Sequence, residues 1–177
     1  MTNGLLPSDI EALARKVVEA NAQAGRTVAL AESCTGGLVA AALTEVPGSS
    51  AVFDRSYVTY SNAAKREMLG VSSEIIETFG AVSIACVWAM AKGALERSGA
   101  DVAVAISGVA GPGGGTKLKP VGTVVFARVT RHSESEPEGE LKLFDGPDRA
   151  TIRREAALWA LELLMPHGKE QAEQSEI

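Results

Sequence analysis

Ile10, Leu13, Val17 and Val18 fall on one face of a helix that Gly25 ends. Ser8-Asp9-Ile10-Glu11, just after Pro7, reads as a capping box at its start. Residues 27–31 form a short unbroken apolar run, the pattern of a buried strand. After the small-residue turn Glu32-Ser33-Cys34-Thr35-Gly36-Gly37, the run LVAAALTEV predicts a helix stopped by Pro47-Gly48. Residues 53–61 predict a strand and 62–69 a short helix ended by Gly70. Two more helical stretches, 73–79 and 83–98, are parted by Gly80. Residues 101–107 are the clearest core strand, and the glycine loop GVAGPGGGTKLKP follows it. Residues 121–130, rich in β-branched side chains, predict another strand. The polar stretch 131–138, expected to be mobile, separates it from 140–144, and the two can form a long-tipped hairpin. A last helix runs from near Asp148 to about Met165, and the tail 167–177 is expected to fray.

Strands alternating with helices, then a hairpin, predict an α/β fold, a three-layer α/β/α sandwich on a mixed, mostly parallel sheet. The chain of 177 residues is long enough for one ordinary core. A single domain, 1–166, is expected ahead of the tail. A hydrophobic content of 46% against 22% charged excludes global disorder. Seventeen basic against 22 acidic residues leave a net charge of −5, which weighs against a nucleic-acid partner. Cys34 and Cys86 fit neither a metal spacing nor a disulfide framework, so a reducing, cytoplasmic setting is expected. No signal peptide or membrane span is legible.

Candidate chemistry begins at the turn 32–37, where a strand ends and a helix opens. Open α/β sheets bind ligands at such places, and helix-start N–H groups can hold an oxyanion. Ser33 is the candidate nucleophile, and the N–H groups of Cys34, Thr35, Gly36 and Gly37 are candidate oxyanion donors. Cys34 is a rival nucleophile, because a helix start can lower a thiol pKa. The structural alternatives are a buried Cys34 and an N-capping role for Ser33 or Thr35. Cys86, on an apolar helical stretch, reads as core.

A hydroxyl nucleophile needs a base. His132 lies in a charged loop and His167 in the tail, which argues against a Ser-His-Asp triad. The ligand cluster of a zinc hydrolase is missing from the sequence, and no metal or cofactor is expected. A lysine remains, provided burial or a neighbouring cation brings its pKa down from ~10.4 toward ~7–8. Tyr60 at a strand end and Lys65 one helical turn later can share a pocket, with Arg66 as the neighbouring cation. The alternative is a solvated Lys65-Arg66-Glu67 face.

The loop that begins Ser107-Gly108, with Gly111, Gly114, Gly115 and Thr116, can wrap backbone N–H groups around a phosphate or ribose. It matches neither the ATP P-loop nor the dinucleotide fingerprint, and a flexible turn is the alternative. Arg149 and Arg153 are i,i+4 neighbours behind the cap Asp148. A cation opposes the dipole at a helix N-terminus, so Arg149 there wants a partner. That partner is either a phosphate or a carboxylate, Glu155 or Asp148.

Together these stretches resemble the CinA C-terminal domain family, the competence/damage-inducible CinA-like proteins. The matching text is AESCTGGLVAAALTEVPGSSAVFDRSYVTYSNAAKREMLGV, then GAVS, AISGVAGPGGGT, KPVGTV and GPDRATIRREA, in order across residues 27–164. Family members characterised as enzymes convert nicotinamide mononucleotide (NMN) and water to nicotinate mononucleotide and ammonia, in pyridine nucleotide salvage. The resemblance implies Ser33 as nucleophile, Lys65 as proton-transfer partner and Tyr60 as its assistant. It implies that the glycine loop and Arg149 hold the mononucleotide, and that the protein is a homo-oligomer. Family members often carry Asp where this chain has Gly113, so no role for that carboxylate carries over. Many also carry an N-terminal domain of molybdopterin-binding type, whose activity is not expected of this sequence. A reading from another class is a non-catalytic nucleotide- or protein-binding module linked to competence or DNA damage.

Overall fold

The computed structural model describes residues 4–132 and 138–166, so the expectations for the loop segment 133–137 and for the tail lie outside the described residues. Among the described residues, five strands, β1 (Val28–Glu32), β2 (Phe53–Val58), β3 (Val102–Gly108), β4 (Thr123–Thr130) and β5 (Glu138–Leu143), form one sheet in the order β2-β1-β3-β4-β5. β1 pairs in parallel with both β2 and β3. β4 runs antiparallel to β3 and to β5, so it alone opposes the direction of the rest. Helices α1 (Ser8–Gln23), α2 (Leu38–Thr44), α3 (Asn62–Leu69), α4 (Ser73–Phe79), α5 (Ile84–Glu96) and α6 (Arg149–Leu163) complete the α/β/α layers.

The unbroken apolar runs of β1 and β3 are explained by burial on both faces. Val28, Leu30, Val104 and Ile106 point to one side, where they meet Ile10 and Val17 of α1, Leu43 of α2 and Leu161 of α6. Ala29, Ala31, Ala103 and Ala105 point to the other, where Cys86, Val87 and Met90 of α5 cover them. Each large aliphatic side chain so buried contributes about 1.5–3 kcal/mol. The alanine side brings α5 close to the sheet, and α3 in turn close to α5. A side chain added at Gly93 of α5 would begin 2.0 Å from the Leu69 carbonyl oxygen of α3, so only glycine permits this approach.

Three local expectations are corrected. The capping box does not form, because the helix takes Pro7 as its N-cap and starts one residue early. Glu11 instead accepts a hydrogen bond from the Leu6 N–H at 3.2 Å. β2 ends at Val58, and Ser61, expected to lie in the strand, is the N-cap of α3. Arg131 is not loose: it donates to the carbonyls of Leu95, Ser98 and Ala100 and closes the C-terminal end of α5.

Candidate active site

β1 lies inside the sheet, and the turn leaving its C-terminal end carries Ser33. The Ser33 N–H still bonds the Ile106 carbonyl of β3 at 3.0 Å, which fixes the serine against the sheet edge. Gly36 and Gly37 then take positive φ values of 61° and 94°, which reverse the chain sharply into α2. Glu32 holds this turn together. Its fully buried carboxylate accepts from the N–H groups of Gly37 at 2.9 Å, Val39 at 3.2 Å and Ala40 at 3.0 Å. It also accepts from the Ser56 hydroxyl at 3.1 Å. α2 therefore starts on an anion supplied by the strand before it.

The same bonds narrow the set of oxyanion donors. Gly37 N–H is spent on Glu32, and Gly36 N–H on the Ser33 carbonyl at 3.0 Å. The Thr35 N–H has no partner among the described residues, and the Cys34 N–H meets only its own sulfur. Arg153 of α6 donates to the carbonyls of Cys34 at 3.1 Å and Thr35 at 2.9 Å. Because a trans peptide points its N–H opposite its C=O, this grip turns the Thr35 N–H away from Arg153.

Lys65 approaches from α3, whose first turn is capped by Ser61 Oγ accepting from Ala64 N–H. Its Nζ lies 3.1 Å from Ser33 Oγ and donates to the Thr59 carbonyl at 2.9 Å. Lys65 is only 1% exposed, so the solvated-face alternative is overturned. Burial is the chief cause that lowers its pKa, with small opposing contributions from the Cys86 and Cys34 thiols. Arg66, the next residue and expected to point elsewhere, is not among the causes. A neutral amine that donates one N–H to Thr59 can turn its lone pair to the Ser33 hydroxyl, the geometry of a general base.

Cys34 lies beside Ser33 but behaves in the opposite sense to the lowered thiol the helix start suggested. Burial pushes it up to about 11; its own backbone N–H opposes this, the Glu32 carboxylate adds to it, and Arg153 and Lys65 oppose it more weakly. At neutral pH that leaves a thiolate fraction of about one in ten thousand. Cys86 is fully buried in the α5 face of the core, as its sequence context predicts.

Ser33, Lys65, Tyr60 and Arg149 face one cavity of about 230 Å³, together with Cys34, Asn62, Ala81, Val82, Ser107, Gly108 and Ala110. Arg149 bonds neither Asp148 nor Glu155: it donates to the Gly111 carbonyl at 2.7 Å and to the Tyr60 hydroxyl at 2.7 Å. Asp148 serves as the cap of α6, accepting from Thr151 N–H at 2.8 Å. Of the glycine loop, Ser107 and Gly108 reach the cavity wall and Gly111 lends its carbonyl to Arg149. Gly114, Gly115 and Thr116 do not line the cavity, nor do Thr35, Gly36 and Gly37. Among the described residues, no three His, Cys, Asp or Glu side chains gather where they could hold a metal ion. No helix of the described residues is long and apolar enough to cross a membrane.

Sequence reasoning gave no role to Glu32, Asn62, Ala81, Val82 or the Thr59 carbonyl. For Glu32 a signal existed: an acidic residue at a strand end, followed at once by a helix start that lacks its own side-chain cap.

Among known protein families, the CinA C-terminal domain matches residues 10–167. The chain is 49% identical over 157 residues to the nicotinamide-nucleotide amidohydrolase PncC of Escherichia coli K12, covering 89% of this chain and 93% of that protein. It is 52% identical over 149 residues to a CinA-like protein of Akkermansia muciniphila. That match covers 84% of this chain but 35% of the relative, so the chain spans a minor part of that longer protein. Among solved structures, the competence/damage inducible protein CihA from Agrobacterium tumefaciens aligns with a TM-score of 0.86 at 50% identity. That alignment covers 90% of this chain and 96% of CihA.

Proposed function

The chain belongs to the CinA C-terminal domain family, and from that membership we propose that it is a nicotinamide-nucleotide amidohydrolase, converting NMN and water to nicotinate mononucleotide and ammonia. The observation that carries the mechanism is the buried pair Lys65 Nζ and Ser33 Oγ, 3.1 Å apart and facing an open cavity. The pyridinium ring of NMN withdraws electrons and makes its carboxamide carbon a good electrophile. Ser33 Oγ bonds to that carbon while neutral Lys65 takes the hydroxyl proton. The N–H of Cys34, the residue after Ser33 that lines the cavity, stabilises the oxyanion; one such donor is worth about 3–4 kcal/mol. The C–N bond then breaks, and the Lys65 ammonium returns its proton to the leaving nitrogen as ammonia departs. Water attacks the nicotinoyl ester with Lys65 again accepting the proton, and Ser33 leaves as the hydroxyl.

Tyr60 accepts its hydrogen bond from Arg149, so its own O–H remains free to donate toward the departing nitrogen. Arg149, held at Gly111 and Tyr60, keeps further N–H groups for the ribose side of the substrate. The test is ammonia release from NMN by the purified protein, with nicotinamide as control. Release from NMN and not from nicotinamide is the expected result. No release from NMN by folded protein would overturn the reading.

A further inference from the structure

The glycine loop has a task that its glycines do not perform themselves. Residues 112–118 are exposed, and Gly115 folds back with its Cα facing the backbone of Val121. What the fold of the loop presents is Lys119. Its main chain is fixed at both ends by Thr116: Thr116 N–H donates to the Lys119 carbonyl at 2.8 Å, and Lys119 N–H donates to Thr116 Oγ1 at 3.0 Å. Its side chain crosses to the end of α4, where the ammonium donates to the Phe79 carbonyl at 2.8 Å. The nitrogen lies 3.3 Å from where a side chain on Gly80 would begin. The next two residues, Ala81 and Val82, are wall of the cavity that holds Ser33 and Lys65. Their N–H groups have no partner among the described residues.

An ammonium carries three donors, and Lys119 spends one on Phe79. The remaining donors, beside two unpaired backbone N–H groups, make a site for an oxyanion with several acceptor oxygens. In a mononucleotide the phosphate is at the far end of the ribose from the amide. Lys119 is not among the residues that line the cavity of about 230 Å³, so with the amide at Ser33 it can meet the phosphate only beyond the ring and sugar, past the Ala81–Val82 wall. Arg149 is less suited to the phosphate itself, because Gly111 and Tyr60 already claim two of its N–H groups.

We infer that Lys119, with the N–H groups of Ala81 and Val82, binds the substrate's phosphate and so selects the mononucleotide over the corresponding riboside. The orientation of the ligand rests on the amidohydrolase reading, but the phosphate contact can be tested apart from it. The experiment is calorimetric titration of nicotinate mononucleotide, and separately of its riboside, into wild type, Lys119→Ala, Lys119→Gln and Lys117→Ala. Steady-state kinetics on NMN and nicotinamide riboside accompany it.

Loss of a charge-assisted phosphate contact should weaken mononucleotide binding by about tenfold to a hundredfold in both Lys119 variants. It should raise KM for NMN similarly, with kcat and the riboside constants unchanged. Lys119→Gln keeps a donor for Phe79, so it separates charge from loop anchoring. Lys117→Ala, on the same loop, should stay within about twofold. Unchanged mononucleotide affinity in the Lys119 variants would overturn the inference, as would an equal loss for the riboside or an equal loss in Lys117→Ala. So would a wild type that does not bind the mononucleotide. Binding that depends on Lys119 without ammonia release would leave the phosphate site standing and sink the amidohydrolase reading.

Discussion

In the proposed mechanism Lys65 is the residue on which the chemistry depends, because only its neutral form can take a proton from Ser33. Burial lowers its pKa from the ordinary 10.5, so the neutral fraction grows at lower pH than for a surface lysine. The sign is fixed: kcat/KM should rise with pH, and the rising limb should fall below pH 10.5. A pH–rate profile that rises only at or above that value would show that Lys65 is not the base. Ser33, Lys65, Tyr60 and Arg149 were candidates in the sequence, each beside a structural alternative, and the structure brings the four to one cavity. The Thr59 carbonyl that orients Lys65 was not legible in the sequence, since any residue there would supply a carbonyl. For Cys34 the sequence left a lowered thiol and a buried one both open, and burial decides it: proximity to a helix start is visible in sequence, while the depth of burial is not.

At the scale of elements, the turn between β1 and α2 is stabilised by one side chain rather than by its own glycines. Glu32 satisfies three N–H groups at or near the α2 start and a hydroxyl of β2. Glu32→Ala would leave these buried donors unpaired at a cost of about 3–5 kcal/mol. For a domain of this size that lowers Tm by roughly 10 °C or more, measurable by calorimetry. Activity should fall further than stability explains, since the same turn carries Ser33. A Tm within about 2 °C of wild type would show that Glu32 does not hold the turn. Strand and helix identities were legible from period and from glycine stops. The α1 capping box was not realised, because Pro7 set the helix start a residue earlier than the motif implied.

For the whole molecule, the order of strands and helices predicted the layered α/β/α arrangement, and the antiparallel pair of β4 and β5 followed from the hairpin expected of residues 121–130 and 140–144. What the pattern could not rank was which strand ends meet. The site exists because β1 and β3 are parallel neighbours, so that Ser33 and Ser107 leave the sheet at one edge. α3 then reaches that edge by packing on α5 through Gly93. The glycine loop looked like a cradle in sequence, yet its central glycines do not line the cavity, and Lys119 at the end of the loop bonds the Phe79 carbonyl of α4.

The central claim is that Ser33, activated by buried Lys65, attacks the amide. Its most direct test is ammonia release from NMN by wild type, Ser33→Ala and Lys65→Met, with NMN binding measured alongside on each folded protein. Turnover by wild type, and loss of at least a thousandfold in both variants with binding retained, is the expected result. Turnover by Ser33→Ala within about tenfold of wild type would contradict the account.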